Sequence, residues 1–202
     1  MPRTKEQFEE MRKATKEKIQ SAAMKLFARK GFGATTVQDI ADEAGISNGL
    51  LYRHYKTKEE LYNEIVHFAL SGLNRIIALF ETDESPSKLV NQFMDEVYRD
   101  MVSGDDLAHL MILMSESYSS SGMTDQAPND VVAVNRNLLT AAIRLIQRGQ
   151  KLGEFAPGDS DQMALYFFAA IHGLAKMKVL LKDDFVMPAA TILTAFLYGK
   201  GE

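Results

Sequence analysis

The chain contains no cysteine and no tryptophan among its 202 residues. Without thiols there is no disulfide frame, thiolate zinc site, iron–sulfur cluster or cysteine nucleophile. Prolines number only five, and period-two alternation with β-branched residues is nowhere sustained, which argues against a sheet. No unbroken apolar stretch reaches the roughly 18–20 residues of a bilayer span, and Met1 to Gln20 is too charged for a secretion signal. The four histidines (His54, His67, His109, His172) are scattered, with no HExxH, and Gly31-Phe32-Gly33 lacks the strand and third glycine of a nucleotide site. A serine-hydrolase elbow is also missing. No catalytic residue, metal site or cofactor is therefore expected.

What is present is a globular composition, 46% hydrophobic and 25% charged, enough for one or two domains with a real core inside a cell. The net charge of −4 conceals an asymmetry. Residues 1–60 carry twelve Lys/Arg against nine Asp/Glu, a balance of +3, so the remainder carries −7. The basic part is the candidate for phosphate contact.

Helical periodicity runs nearly throughout, with about nine helices expected in an all-α fold. The first spans about Glu6 to Lys30. Its apolar Ile19, Ala22, Ala23, Leu26 and Phe27 fall on one stripe, and Gly31 ends it after two basic residues. Short helices follow at Thr36–Ala44 and Ser47–Tyr55. A long one opens near Lys58 and keeps its apolar stripe to Phe80. Further helices are expected at about 87–103, 106–119, 129–151, 160–182 and 187–199.

The informative segment is 35–55. Thr36, followed three residues on by Asp39, is an N-cap with an acid in the first turn. Val37, Ile40, Ala41 and Ala44 form a buried stripe, Gly45 permits a sharp turn, and Ile46 plugs the corner. Ser47 caps a second short helix whose Leu51 and Tyr55 face inward, and Thr57 with Glu60 repeats the capping pattern. Two short helices joined by a tight glycine turn make a helix-turn-helix, whose second helix enters the major groove. With Leu51 and Tyr55 in the core, Ser47, Asn48, Gly49, Tyr52, Arg53 and His54 remain near the outer face. Asn48 and Arg53 can bond base edges, or phosphates at another angle. Tyr52, His54, Lys56 and Lys58 suit phosphates, and Gly49 lets backbone approach the DNA.

The run Thr36-Val37-x-x-Ile40-Ala41-x-x-Ala44-Gly45-Ile46-Ser47-x-Gly49-x-Leu51-Tyr52-x-His54-Tyr55-Lys56-x-Lys58-x-x-Leu61 resembles the DNA-binding domain of the TetR family of bacterial transcriptional regulators. The preceding Leu26-Phe27-x-x-x-Gly31-Phe32-x-x-Thr35-Thr36 resembles that family's first helix and loop, so the likeness covers roughly residues 13–65. Tyr55 stands where the family more often has phenylalanine. The resemblance implies an N-terminal three-helix DNA-binding domain over residues 1–60, with its motif at about 36–55. A larger helical effector-binding and dimerisation domain then takes residues 61–202. It makes Thr36, Tyr52, His54 and Lys58 backbone clamps and puts Asn48, Gly49 and Leu50 closest to base edges. Leu50 there could meet a thymine methyl. The implied protein is a cytoplasmic, homodimeric repressor on a palindromic operator, released by a small apolar or amphipathic effector. A DNA-binding or scaffold protein without such an effector is the alternative.

Beyond residue 66 no motif is equally sharp. Helices at 163–181 and 189–198 are apolar on more than one face, which suits pairing with a second copy. Phe167, Ile171, Leu174, Ile192 and Phe196 are the expected interface residues. Eight of the eleven methionines lie past residue 80, and methionine adapts to varied apolar ligands. A pocket is expected from Phe93, Tyr98, Met111, Met114, Tyr118, Phe168 and His172. His172 fits either pocket or interface. His109 and Glu116 fall off the stripe of Leu107, Leu110, Met111, Met114 and Tyr118 and are expected to face solvent.

Overall fold

A computed structural model describes residues 4–116 and 127–199. Among them are nine α-helices, one short 3-10 turn at Lys182–Asp184 and no strand. The helices are α1 (Lys5–Lys30), α2 (Val37–Glu43), α3 (Asn48–His54), α4 (Lys58–Phe80), α5 (Pro86–Ser103), α6 (Asp106–Glu116), α7 (Ala127–Lys151), α8 (Ser160–Leu181) and α9 (Ala190–Tyr198).

Local chemistry sets the first four. Thr4 caps α1 in a reciprocal box with Gln7, and Gly31 closes it with its N–H on the Phe27 carbonyl. Thr36 and Asp39 form the same reciprocal box on α2. The Thr36 backbone N–H, followed by its hydroxyl, holds the Asp39 carboxyl below the usual carboxylate range, so a charge sits at the positive end of the helix. Ser47 caps α3 by accepting from the Leu50 N–H, and Thr57 caps α4 by accepting from the Glu60 N–H. Glu60 itself reaches one residue further back, to the Lys56 N–H at 2.7 Å. Gly45, at φ +65°, makes the turn between α2 and α3 in a region that favours glycine.

Two hydrophobic clusters result. The first joins Ile19, Ala22, Ala23, Leu26 and Phe27 of α1 to Ile40, Ala41, Leu51, Tyr55 and the α4 residues from Leu61 to Leu70. It is closed from beyond the helix-turn-helix by Leu113 and Met114 of α6 and Val131 of α7. The second gathers α5, α7, α8 and α9 around Phe80, Phe93, Met94, Leu145 and Phe167. Helix α4 contributes to both, and α6 is wedged between α1 and α8.

That wedge corrects one expectation. His109 does not face solvent: it is 5% exposed, while the Leu107 and Met111 expected inward are half-buried. A helix covered on two opposite sides has no single stripe, so spacing alone misplaces its polar residues. Tyr118 lies outside the described residues.

The second correction concerns α8. By length and composition, Ser160–Asp184 is long and apolar enough to cross a membrane, although polar residues such as His172 and Lys176 interrupt it. One face is core: Phe167 and Ile171, expected at a subunit interface, are 3% and 2% exposed within the single chain and have no surface to offer a partner. Phe167 instead stacks near Phe93, Phe168 and Phe196, at ring separations of 5.8, 5.5 and 6.5 Å. The opposite face leaves Leu165, Tyr166, Met177 and Leu180 exposed, and α9 adds Ile192. Leu174 and Phe196 lie half-buried against the core.

The turn after α7 explains a short glycine pattern. A Cβ on Gly149 would lie 2.1 Å from the Phe155 ring, so only glycine lets that ring fold back onto α7. Glu154 then accepts from the Ser85 hydroxyl at 2.7 Å and the Ser87 N–H at 2.9 Å, pinning the α4–α5 connection.

Candidate nucleic-acid interface

Helices α2 and α3 present a compact polar surface. Thr36, Ser47, Gly49, Tyr52, Arg53 and Lys56 are exposed, whereas Asn48, Leu50, His54 and Lys58 are half-buried. Gly49 leaves open space where a side chain would stand. Leu51 and Tyr55, 2% and 1% exposed, anchor the inner side of α3. The sequence-derived set is thus brought together around one short helix, with two qualifications.

Lys58 is turned inward. Its ammonium donates to the carbonyls of Phe32 and Thr35, both at 2.7 Å, and sits 4.3 Å from the centroid of the Phe32 ring. Two of its three N–H bonds are therefore used in fastening the α1–α2 loop to α4. In the free protein the residue expected as a phosphate clamp is therefore an internal anchor.

Asn48 is tied to α2. Its amide nitrogen donates to Gln38 Oε1, and Gln38 Nε2 donates in turn to Asp42 Oδ1 at 2.7 Å. The Asn48 side-chain oxygen is shielded and has no partner among the described residues. In the free protein Asn48 therefore fastens the two helices together. Gln38 escaped the sequence reading because an amide pair between helices leaves no periodic trace.

The cations of this region divide into paired and free. Lys25 pairs with Glu43, Lys30 with Asp39 at 3.3 Å, and Lys16 with Glu64 at 2.6 Å. Arg53 and Lys56 have no carboxylate partner among the described residues and remain available to phosphates.

The expected pocket residues do not all converge. Phe93, Met111 and Phe168 belong to the C-terminal cluster, and Met114 to the N-terminal one. Tyr98 is exposed on α5. His172, expected to be buried, is exposed on α8 and bonds the Phe168 carbonyl at 2.8 Å through Nδ1.

His109 is the buried polar side chain that spacing missed. Its Nδ1 is buried without a partner among the described residues, on the helix that packs against α1. Burial holds its pKa below that of an ordinary histidine; Asp105 and Asp106 oppose the shift, and Lys25 and Arg29 add to it. An unfolded histidine takes its proton near pH 6.5, while the folded one resists to lower pH. Stability is therefore lost as pH falls through that interval. Urea midpoints compared near neutrality and below pH 6 are expected to fall more in wild type than in His109→Gln. An identical fall in both would remove His109 from the account.

A capped pair of short helices with a glycine turn, an inward Leu51–Tyr55 edge and unpaired cations on the outer side defines a helix-turn-helix DNA-binding regulator. Residues 19–65 match the model of the bacterial regulatory proteins, tetR family. The HTH-type transcriptional repressor KstR2 of Mycolicibacterium smegmatis is 30% identical over 156 residues, covering 76% of this chain and 73% of that protein. The HTH-type transcriptional regulator TtgR of Pseudomonas putida is 26% identical over 188 residues, covering 90% of this chain and 86% of its own. Among solved structures, the SmeT–triclosan complex superposes with a TM-score of 0.62 at 25% identity, over 93% of each chain. The chain belongs to the TetR family of bacterial transcriptional regulators, and its relatives are DNA-binding regulators rather than enzymes.

Proposed function

We propose that the chain is a cytoplasmic, homodimeric repressor that binds a palindromic operator through α3 and its flanks and is released by a small apolar or amphipathic molecule. The observation that carries the dimer is the outer face of α8 and α9. Leu165, Tyr166, Leu180 and Ile192 are 62%, 60%, 71% and 68% exposed, and together they form an apolar surface that a second copy would cover. Pairing these two helices with their symmetry mates makes a four-helix bundle. The same pairing accounts for the membrane-like composition of α8.

On the DNA, Arg53 and Lys56 would meet phosphates or base edges, Tyr52 and Thr36 would hold the backbone, and Gly49 would allow close approach of α3. Ser47, Leu50 and His54 complete the contact set, with Lys58 acting through the loop it anchors. Asn48 would read a base only by leaving Gln38.

Release would run through α4 and α6. Helix α4 belongs to both clusters, and α6 touches α1 on one side and α8 on the other. A ligand among Phe93, Met111 and Phe168 would move both helices and alter the separation of the two recognition helices. Triclosan in the SmeT complex is a precedent for a small aromatic ligand in a related regulator. Coupling of this kind is typically about 1–3 kcal/mol, or roughly 5–150-fold in affinity.

Selection of bound duplexes from a random pool by the full chain tests the reading. A palindrome with half-sites about one helical turn apart is expected, and an apolar compound screen on that duplex should yield a releasing ligand. Recovery of unrelated sequences would contradict the operator. A palindrome that no compound releases would favour a regulator without an effector.

A further inference from the structure

A chain of polar side chains runs from α2 to the start of α3. Gln38 and Asp42 lie one turn apart on α2 and are both exposed, while Ile40 and Ala41 of the same helix are fully buried. Asn48 is the first residue of α3, directly after the Ser47 cap. Gln38 Nε2 donates to Asp42 Oδ1 at 2.7 Å, and Asn48 Nδ2 donates to Gln38 Oε1. Asp42 sets the direction of the chain. A carboxylate only accepts, so Gln38 must turn its NH2 to Asp42 and its oxygen to Asn48. Asn48 must then turn its own NH2 to Gln38. That sends the Asn48 oxygen to a side where it is shielded and has no partner among the described residues. Buried acceptors are rarely left unpaired, because the orphaned group costs free energy. Gln38 thus fastens Asn48 in an arrangement that leaves one bond unmade.

We propose that Gln38 is a specificity-determining residue: backed by Asp42, it holds the Asn48 amide off the DNA until an adenine at one position of the half-site takes that amide over. The inference rests on the DNA-binding reading of the chain and deepens it. Adenine offers an N6–H donor and an N7 acceptor in the major groove, and an asparagine reads it through its oxygen and its nitrogen together. In the free protein the nitrogen is given to Gln38 and the oxygen is shielded. Asn48 therefore reads adenine only after the bond to Gln38 opens, and the shielded oxygen then acquires a partner. On another base the exchange leaves polar groups unmet, and Asn48 stays with Gln38. Apparent affinity for the correct base is reduced in proportion to the fraction of molecules that are open. The net contribution of one neutral hydrogen bond corresponds to about two- to tenfold per protomer.

The test uses the full chain, the duplex it selects, and duplexes with each base pair of the half-site exchanged in turn, read by fluorescence anisotropy. Asn48→Ala identifies the base pair at which Asn48 discriminates, which is expected to be A·T. Gln38→Ala, at an exposed helix position, should keep a wild-type circular dichroism spectrum. It should bind the selected duplex about two- to tenfold more tightly per protomer, with unchanged affinity for duplexes altered at that base pair. Discrimination then rises at one position only, and the salt slope matches wild type because no charge is removed. With Asn48→Ala already in place, Gln38→Ala should change nothing. A residue that merely packs α2 against α3 would move every duplex alike. Equal shifts on all duplexes, lost discrimination in Gln38→Ala, or an effect that survives in the Asn48→Ala background would overturn the proposal and leave the regulator reading standing. Full discrimination in Asn48→Ala, or a G·C pair at its position, would do the same. Wild type that binds no duplex at all would overturn both.

Discussion

Leu180→Arg combined with Ile192→Arg is expected to make the protein monomeric and to weaken operator binding at least about a hundredfold. Both side chains are largely exposed in the single chain, so each arginine is solvated there and the protomer keeps its fold. In an isologous dimer every substitution occurs twice, and four like charges would be carried into an apolar contact. Burying even one unpaired charge costs several kcal/mol. Loss of the dimer turns two linked half-site contacts into independent ones, and linkage of that kind is typically worth about 10²–10⁴ in affinity. Sedimentation velocity together with anisotropy on the selected duplex checks both parts. A double variant that stays dimeric would move the interface elsewhere on the surface.

The second large effect concerns Lys58. Removing its ammonium deletes two hydrogen bonds from a charged donor and strands the carbonyl of Thr35, a residue 1% exposed. Bonds to a charged group contribute roughly 1.5–3 kcal/mol each, and an unpaired buried acceptor adds to the loss. Lys58→Ala should therefore lower stability by about 3 kcal/mol in urea. Lys58→Met, which keeps much of the stem over the Phe32 ring, should lose less. Below the denaturation range the slope of log affinity against log salt should match wild type, because the ammonium points into the α1–α2 loop. Unchanged stability with a shallower salt slope would restore Lys58 as a phosphate contact.

The helix-turn-helix was legible because its signals are local. Thr36, Gly45, Ser47 and Thr57 each impose a cap or turn through their own side chain or its absence, and α2 and α3 begin where those residues place them. Farther along, local signals were not enough. Periodicity places helices α6 and α8, but a helix apolar on several sides does not announce which side meets its own core. Phe167 and Ile171 went to the core, while Leu165 and Leu180 of the same helix were left outside. His109 lies under α1, about eighty residues or more away in sequence, and no spacing within α6 encodes that neighbour. The Lys58 and Asn48 contacts share this character. Their residue types suit DNA, and only the fold brings the Phe32 and Thr35 carbonyls and the Gln38 amide within reach.

The common element is that contacts joining the DNA-binding region to the rest of the chain are long-range. Ser21 of α1 donates to Asp106 of α6 at 2.6 Å, and Lys178 of α8 pairs with Asp105 at 3.0 Å. The start of α6 is thus held from both sides, which gives a displacement of α8 or α6 a short route to α1. The proposed release by a ligand would then require no change within α2 or α3.

A half-site spacing series tests the dimeric reading most directly. On the selected palindrome, base pairs are added or removed between the half-sites and the affinity of the full chain is measured at fixed salt. Two recognition helices held by one α8–α9 interface predict a single preferred spacing and a loss of more than about tenfold when roughly half a helical turn, about 5 base pairs, is inserted. Affinity independent of spacing would mean that each half-site is bound by a protomer acting alone, and would contradict the account.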